Sequence, residues 1–261
     1  MSSRARLDFE QDGRVARLVL AAPKANILDR AMMEDLCGLA EELVGRRGLR
    51  AIVVAADGPH FSFGASVEEH LPGAIDEVLA GLRRLLARLL DLPAPTIAAV
   101  RGQCLGGGLE LILACDLILA EETAWFGCPE IKLAVFPPAA SALLPLKIGA
   151  GPAAELILTG ESWSAERAHT VGLVTRTCAE GSLEEALSGW LETEFLSRSP
   201  AALKHAVLAA RRRTREAIES DLPELERQYI EELMAEPDAE EGIRAFLEKR
   251  APRWSSDEES A

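Results

Sequence analysis

Three short, nearly unbroken apolar runs constrain this chain most: AIVVAA at 51–56, TIAAV at 96–100 and LILA at 117–120. A strand with one wet face alternates apolar and polar residues. A continuous run is buried on both faces, as in a parallel sheet covered by helices. Helical spacing fills the intervals. Met33, Leu36, Ala40, Leu43 and Val44 recur every three or four residues behind Asp29, a capping residue. Val78, Leu82, Leu85, Leu86 and Leu89 do the same within 74–92, a span that Pro93 and Pro95 end. Strand and helix signals alternate to about residue 180, which predicts an α/β fold of repeated crossovers. Ahead of them, Gln11-Asp12-Gly13-Arg14 between apolar runs predicts a hairpin. Ser199-Pro200 opens a region that reads as helical to the end, with further helices at 221–235 and 238–250. The expected division is a core at 1–197 and a helical region at 198–261.

A chain of 261 residues can bury roughly 70–75% of its unfolded surface, so its core needs neither metal nor disulfide. Its 28 basic and 42 acidic side chains give a net charge of −14. That field opposes nucleic acid and anionic membranes as partners, yet allows one anionic small molecule in a local basic pocket. The five scattered cysteines read as free thiols in a reducing compartment. Residues 1–10 lack an apolar signal segment, and Leu133 to Leu146, 14 residues with three prolines, is too short to span a bilayer. A soluble, cytoplasmic protein is expected. The four histidines show no metal-ligand spacing, and Glu68-Glu69-His70 reads as a solvated helix start. The run Arg211-Arg212-Arg213 with Arg215 reads as a solvated face or a subunit contact.

Chemistry concentrates around Gly106-Gly107-Gly108-Leu109-Glu110. Successive glycines between strand and helix serve either tight packing or close approach of a ligand to free N–H groups. No dinucleotide or triphosphate glycine motif is present. Glu110 lies in the apolar LELILAC, and Glu130 precedes another apolar stretch. Either each has its own N–H or arginine partner, or the two form an acid/base pair with pKa values moved by burial and repulsion. The loop His60 to Ser66 supplies a second glycine-bearing strand exit, able to place another N–H beside the first.

Taken in order, Pro23-Lys24-Ala25-Asn26, HFSFGAS, APTIAAVRGQCLGGGLELILACDLILA, WFGCPEIKLAVFP, LILTGESWSAERAHTVGLV and AFLEKRAPRW carry a resemblance. The chain resembles the crotonase (enoyl-CoA hydratase/isomerase) superfamily over essentially its whole length. The resemblance implies a crotonase-like spiral of ββα units, a helical C-terminal trimerisation region, and a homotrimer or dimer of trimers. It implies an acyl-CoA thioester as substrate, with coenzyme A part of that substrate and no cofactor or metal. Ala65 and Gly107 would donate the oxyanion-hole N–H groups, and Glu110 and Glu130 would be the catalytic pair. Lys24, Ala25, Phe63, Ser66, Val67, Gly106, Phe136, Phe246 and Lys249 would contact substrate or coenzyme, Lys249 by way of a neighbouring subunit.

Two departures stand out. Gly-Ala-Ser replaces the family's Gly-Ala-Asp, and Phe136-Pro137-Pro138-Ala139-Ala140-Ser141 replaces a glycine-rich turn. This pairing resembles the cyclohexa-1,5-diene-1-carbonyl-CoA hydratase branch, with Phe63 and the prolines forming a wall for a cyclic or bulky acyl group. The implied reaction is reversible addition of water to an unsaturated acyl-CoA. The competing readings are a double-bond isomerase, and a scaffold binding coenzyme A or RNA without turnover.

Overall fold

The computed structural model describes residues 3–22, 25–71 and 73–255. Strands β1 (Ala5–Glu10) and β2 (Val15–Leu20) form the hairpin that Asp12-Gly13 predicts, with Gln11, Asp12 and Gly13 all at positive φ. Helix α1 (Arg30–Val44) starts where Asp29 accepts the Met32 amide at 2.9 Å. Then come β3 (Ala51–Ala56), α2 (Ile75–Leu90), β4 (Thr96–Val100), β5 (Gln103–Leu105), α3 (Gly107–Leu113), β6 (Leu117–Glu121) and β7 (Trp125–Gly127). The chain continues through α4 (Pro138–Ile148), α5 (Ala150–Thr159), β8 (Ser162–Ser164), α6 (Ala165–Thr170), β9 (Arg176–Cys178) and α7 (Leu183–Glu194).

The main sheet runs β1-β2-β3-β4-β6-β9 and is parallel from β2 onward. Strand β3 shows why its run is continuous. Ala51, Val53 and Ala55 face α7, meeting Leu187, Trp190 and Leu191. Ile52 and Val54 face the opposite core, built with α1, α2 and α3. Each large side chain so buried contributes roughly 1.5–3 kcal/mol before entropy is counted. No helix among the described residues is long and apolar enough to cross a membrane.

A second sheet, β5-β7-β8, escapes the sequence reading because each strand has three residues, too few to display a period. A bridge from Ser62 to Cys104 ties the loop after β3 to this sheet, and one from Leu28 to Ala65 ties it to the segment just before α1. They hold Ala65 in place.

Ser199 caps α8 (Pro200–Ala210), as its sequence predicts. Helix α9 (Arg212–Glu216) and a π turn at Ala217–Asp221 come next, and the helix predicted at 221–235 is α10 (Leu222–Arg227) followed by a π turn at Gln228–Glu232 and a 3-10 turn at Leu233–Ala235. Helix α11 (Pro237–Leu247) follows. Ile218, Leu222, Tyr229 and Ile243 from this region join the main core.

The arginine run needs correcting. Arg212 and Arg213 reach solvent and bind Glu216 at 3.1 and 2.8 Å. Arg211 is buried. Its guanidinium donates to both oxygens of Asp116 and to the carbonyls of Leu90, Leu92 and Ala94 at 2.6–3.1 Å. The Leu90 carbonyl at the end of α2 lacks an intrahelical partner, and the planar five-donor fork satisfies it together with two carbonyls of the turn that follows.

Candidate active site

The glycine turn packs closely at two of its positions and leaves the amide of the third without a partner among the described residues. Gly106 has φ +49, and a Cβ there would collide with Glu130 Oε1. A Cβ on Gly108 would lie 2.6 Å from Ser62 Cβ, so that position is close packing. Gly107, between them, opens α3 with its face toward Ala65: a Cβ on it would stand 3.1 Å from the Ala65 amide nitrogen. Among the described residues, neither the Ala65 nor the Gly107 N–H donates to a protein acceptor. Gly107 has no intrahelical acceptor because it is the first residue of its helix.

Two side chains that sequence reasoning missed fix the opposite loop. Buried Asn26 accepts the Ala22 amide at 3.1 Å and donates to the Asp57 and His60 carbonyls at 2.8 and 3.1 Å. Ser62 Oγ donates to the Asn26 carbonyl at 2.8 Å and accepts the Gly64 amide at 3.0 Å. The sequence signal for each was its place in a segment that carries the family resemblance, Pro23-Lys24-Ala25-Asn26 for one and HFSFGAS for the other.

Glu110 is buried in α3 and accepts the Ala140 amide at 3.0 Å from the start of α4. Burial pushes its pKa above the ordinary carboxylate range; the Ala140 and Ala139 amides oppose this, and the charge of Glu226 adds to it. Glu130 sits in the 3-10 turn Pro129–Leu133, and its buried Oε2 has no hydrogen-bond partner. Burial, then the charge of Glu110, pushes this carboxyl up as well. Of the sequence alternatives, Glu110 therefore does take a backbone partner. Glu130 leaves an oxygen free, and each is close enough to matter to the site's electrostatics.

A cleft opens over this pair of amides, lined by Gly64, Ala65, Gly106 and Glu130 and walled by Phe63, Val67, Leu133 and Ile243. His70 also lines it, correcting its reading as a solvated helix start. Its Nδ1 meets the Ser66 carbonyl at 2.7 Å, and burial lowers its pKa against the opposing pull of that carbonyl and of Glu69. A separate groove between α1 and α2, lined by Met33, Cys37 and Arg84, shares none of these residues.

The remaining predicted contacts scatter. Lys24 lies outside the described residues. The Ala25 carbonyl accepts the Phe63 amide at 2.9 Å, which places it beside the mouth, and Ser66 acts through its carbonyl on His70. Phe136 packs against Tyr229, ring centroids 5.4 Å apart, and does not line the cleft. Phe246 and Lys249 are exposed and do not line it either; Ile243 is the contribution of α11.

Parallel ββα units that bring a glycine-opened helix, a second free amide and the buried Glu130 carboxyl to one cleft, with buried Glu110 close enough for its charge to act on Glu130, define a crotonase-like α/β fold. The chain belongs to the enoyl-CoA hydratase/isomerase family, which it matches over residues 10–257. It is 44% identical to cyclohexa-1,5-dienecarbonyl-CoA hydratase of Thauera aromatica over 98% of each chain. It is 36% identical to 2,3-dehydroadipyl-CoA hydratase of Escherichia coli (strain K12), over 92% of this chain and 94% of that one. Among solved structures, an enoyl-CoA hydratase from Mycobacterium avium subsp. paratuberculosis K-10 superposes with a TM-score of 0.85 at 26% identity, over 97% of this chain and 98% of that one.

Proposed function

We propose that this protein adds water reversibly across the C=C bond of an unsaturated acyl-CoA thioester. The observation that carries the reading is the pair of buried carboxyls, both pushed above the usual range, beside two unsatisfied amides. The Ala65 and Gly107 N–H groups take the thioester oxygen, where negative charge grows. Losing one such donor typically costs about 10²–10³ in rate. As the water oxygen bonds to the β carbon, one carboxylate takes the proton that the water loses. The C=C electron pair moves toward the thioester, and the other carboxyl, protonated, gives its proton to the α carbon. The cycle needs one proton on the pair, and mutual repulsion between two buried carboxyls favours that state.

For the acyl group we infer a cyclic dienoyl or bulky 2-enoyl chain. The apolar wall of Leu133, Val135 and Ile243 with Phe63 at the mouth supports this, as does the likeness to the Thauera aromatica hydratase. The test is a panel of linear and cyclic unsaturated acyl-CoA thioesters, followed by mass spectrometry in water labelled in its oxygen. Gain of one labelled water by a cyclic dienoyl thioester is expected. A shifted double bond without label would make the protein an isomerase, and no change in any thioester would leave it without this activity.

The division into a core at 1–197 that carries the glycine turn and both glutamates, and an oligomerising 198–261 that adds Ile243 to the cleft, belongs to the same proposal. Exposed Leu208, Phe246 and Leu247 of the second region support apolar contact between copies. Sedimentation should give a trimer or a dimer of trimers; a monomer at micromolar concentration would rule out that assembly.

A further inference from the structure

Among the described residues, two buried side-chain oxygens lack any hydrogen-bond partner: Glu130 Oε2 and the Tyr229 hydroxyl. Native interiors seldom leave such groups unpaired, and a phenylalanine would fill the Tyr229 position without the difficulty. Tyr229 is 1% exposed and lies in the π turn Gln228–Glu232, a kind of widened turn frequent at functional sites. Its ring rests on Phe136, just ahead of α4, whose Ala140 amide holds Glu110. The charges of Glu130 and Glu110 both act on the phenol and, after burial, raise its pKa, so it remains a donor throughout the working range. The hydroxyl is thus buried and unpartnered, close enough for the charges of both carboxyls to act on it, with its hydrogen uncommitted.

We propose that Tyr229 is the third ligand of the reacting water, its O–H donating to the water oxygen while the water's hydrogens point to one oxygen of the carboxylate and to the carbonyl oxygen of the protonated carboxyl. A buried water needs two to four polar partners, and this arrangement supplies three. One lone pair of the oxygen is then held by the phenol and the other is left to attack carbon. In the reverse direction the same O–H holds the leaving hydroxyl. The phenol keeps its proton throughout. The inference rests on the hydration reading.

The chain has one tyrosine, which makes the test clean. Tyr229→Phe should lower kcat for hydration by about tenfold to a hundredfold with KM for the thioester unchanged, the loss expected when one hydrogen bond to the reacting atom goes. Its melting temperature should not fall. In the unmutated protein grown on fluorotyrosine, the single fluorine resonance should shift more with the hydrated product than with cyclohexanecarbonyl-CoA, which carries no hydroxyl. Wild-type kcat in Tyr229→Phe, or equal shifts with both thioesters, would overturn the proposal. Glu130→Gln separates the two ideas. If it abolishes hydration while Tyr229→Phe does not, the tyrosine alone is misassigned; if it too remains active, the hydration reading itself fails.

Discussion

Glu130→Gln is expected to lower the turnover of hydration by roughly 10²–10⁴ while leaving thioester binding intact. The amide has the same shape and still fits over Gly106, but it cannot carry a proton between water and carbon. Stability should move the other way. Burial and the charge of Glu110 raise the folded-state pKa of Glu130, so the folded protein holds this proton more tightly than the unfolded chain does. That contribution is fully present below the unfolded value, about 4.3, and is lost as pH rises through the raised folded one. Glutamine removes the titration. The variant should therefore match the wild type near the acid end and melt at a progressively higher temperature than it toward alkaline pH. Steady-state kinetics and melting curves from about pH 5 to 9 check both halves. Full turnover, or a melting difference that shrinks with rising pH, would contradict this account of the site.

Arg211→Met is expected to destabilise the fold by about 3–5 kcal/mol, the range for removing one partner of a buried ion pair. The side chain is 3% exposed. It donates to Asp116 and to three main-chain carbonyls, while Asp116 also accepts the Thr96 amide at 2.7 Å. Methionine fills the volume and supplies no donor, leaving a half-buried carboxylate and several carbonyls short of partners. Arg211→Lys should recover only part of the loss, because a compact ammonium cannot span the same acceptors. Denaturant unfolding of both variants gives the numbers. A loss under about 1 kcal/mol, typical of an exposed pair, would show that the network adds little.

Local signals were readable where one short segment decides the outcome. The Asp29 cap, the Asp12-Gly13 turn and the doubly covered β3, β4 and β6 all depend on residues within a few positions of one another. Residues whose roles depend on distant partners were not readable. The arginine run looked like surface because three cations in succession normally stay hydrated. Only the carbonyls of 90, 92 and 94 show why the first of them is buried. His70 follows two glutamates and resembles solvated polar sequence, yet its fold brings it under the cleft. Tyr229 carries no signal of its own as a residue of a C-terminal helical stretch; only the fold brings its phenol within reach of the charges of Glu130 and Glu110.

The sequence by itself determined the alternating α/β order, the glycine opening of α3 and the presence of carboxyls at 110 and 130, since each follows from side-chain period or residue type along a few neighbours. Tertiary structure decided that the Ala65 and Gly107 amides lie side by side, that Ala140 holds Glu110, and that Glu130 keeps an unpartnered oxygen. The physical reason is range: periodicity reports which face of an element is buried, whereas a site is made by hydrogen bonds and charges between elements that pattern cannot pair.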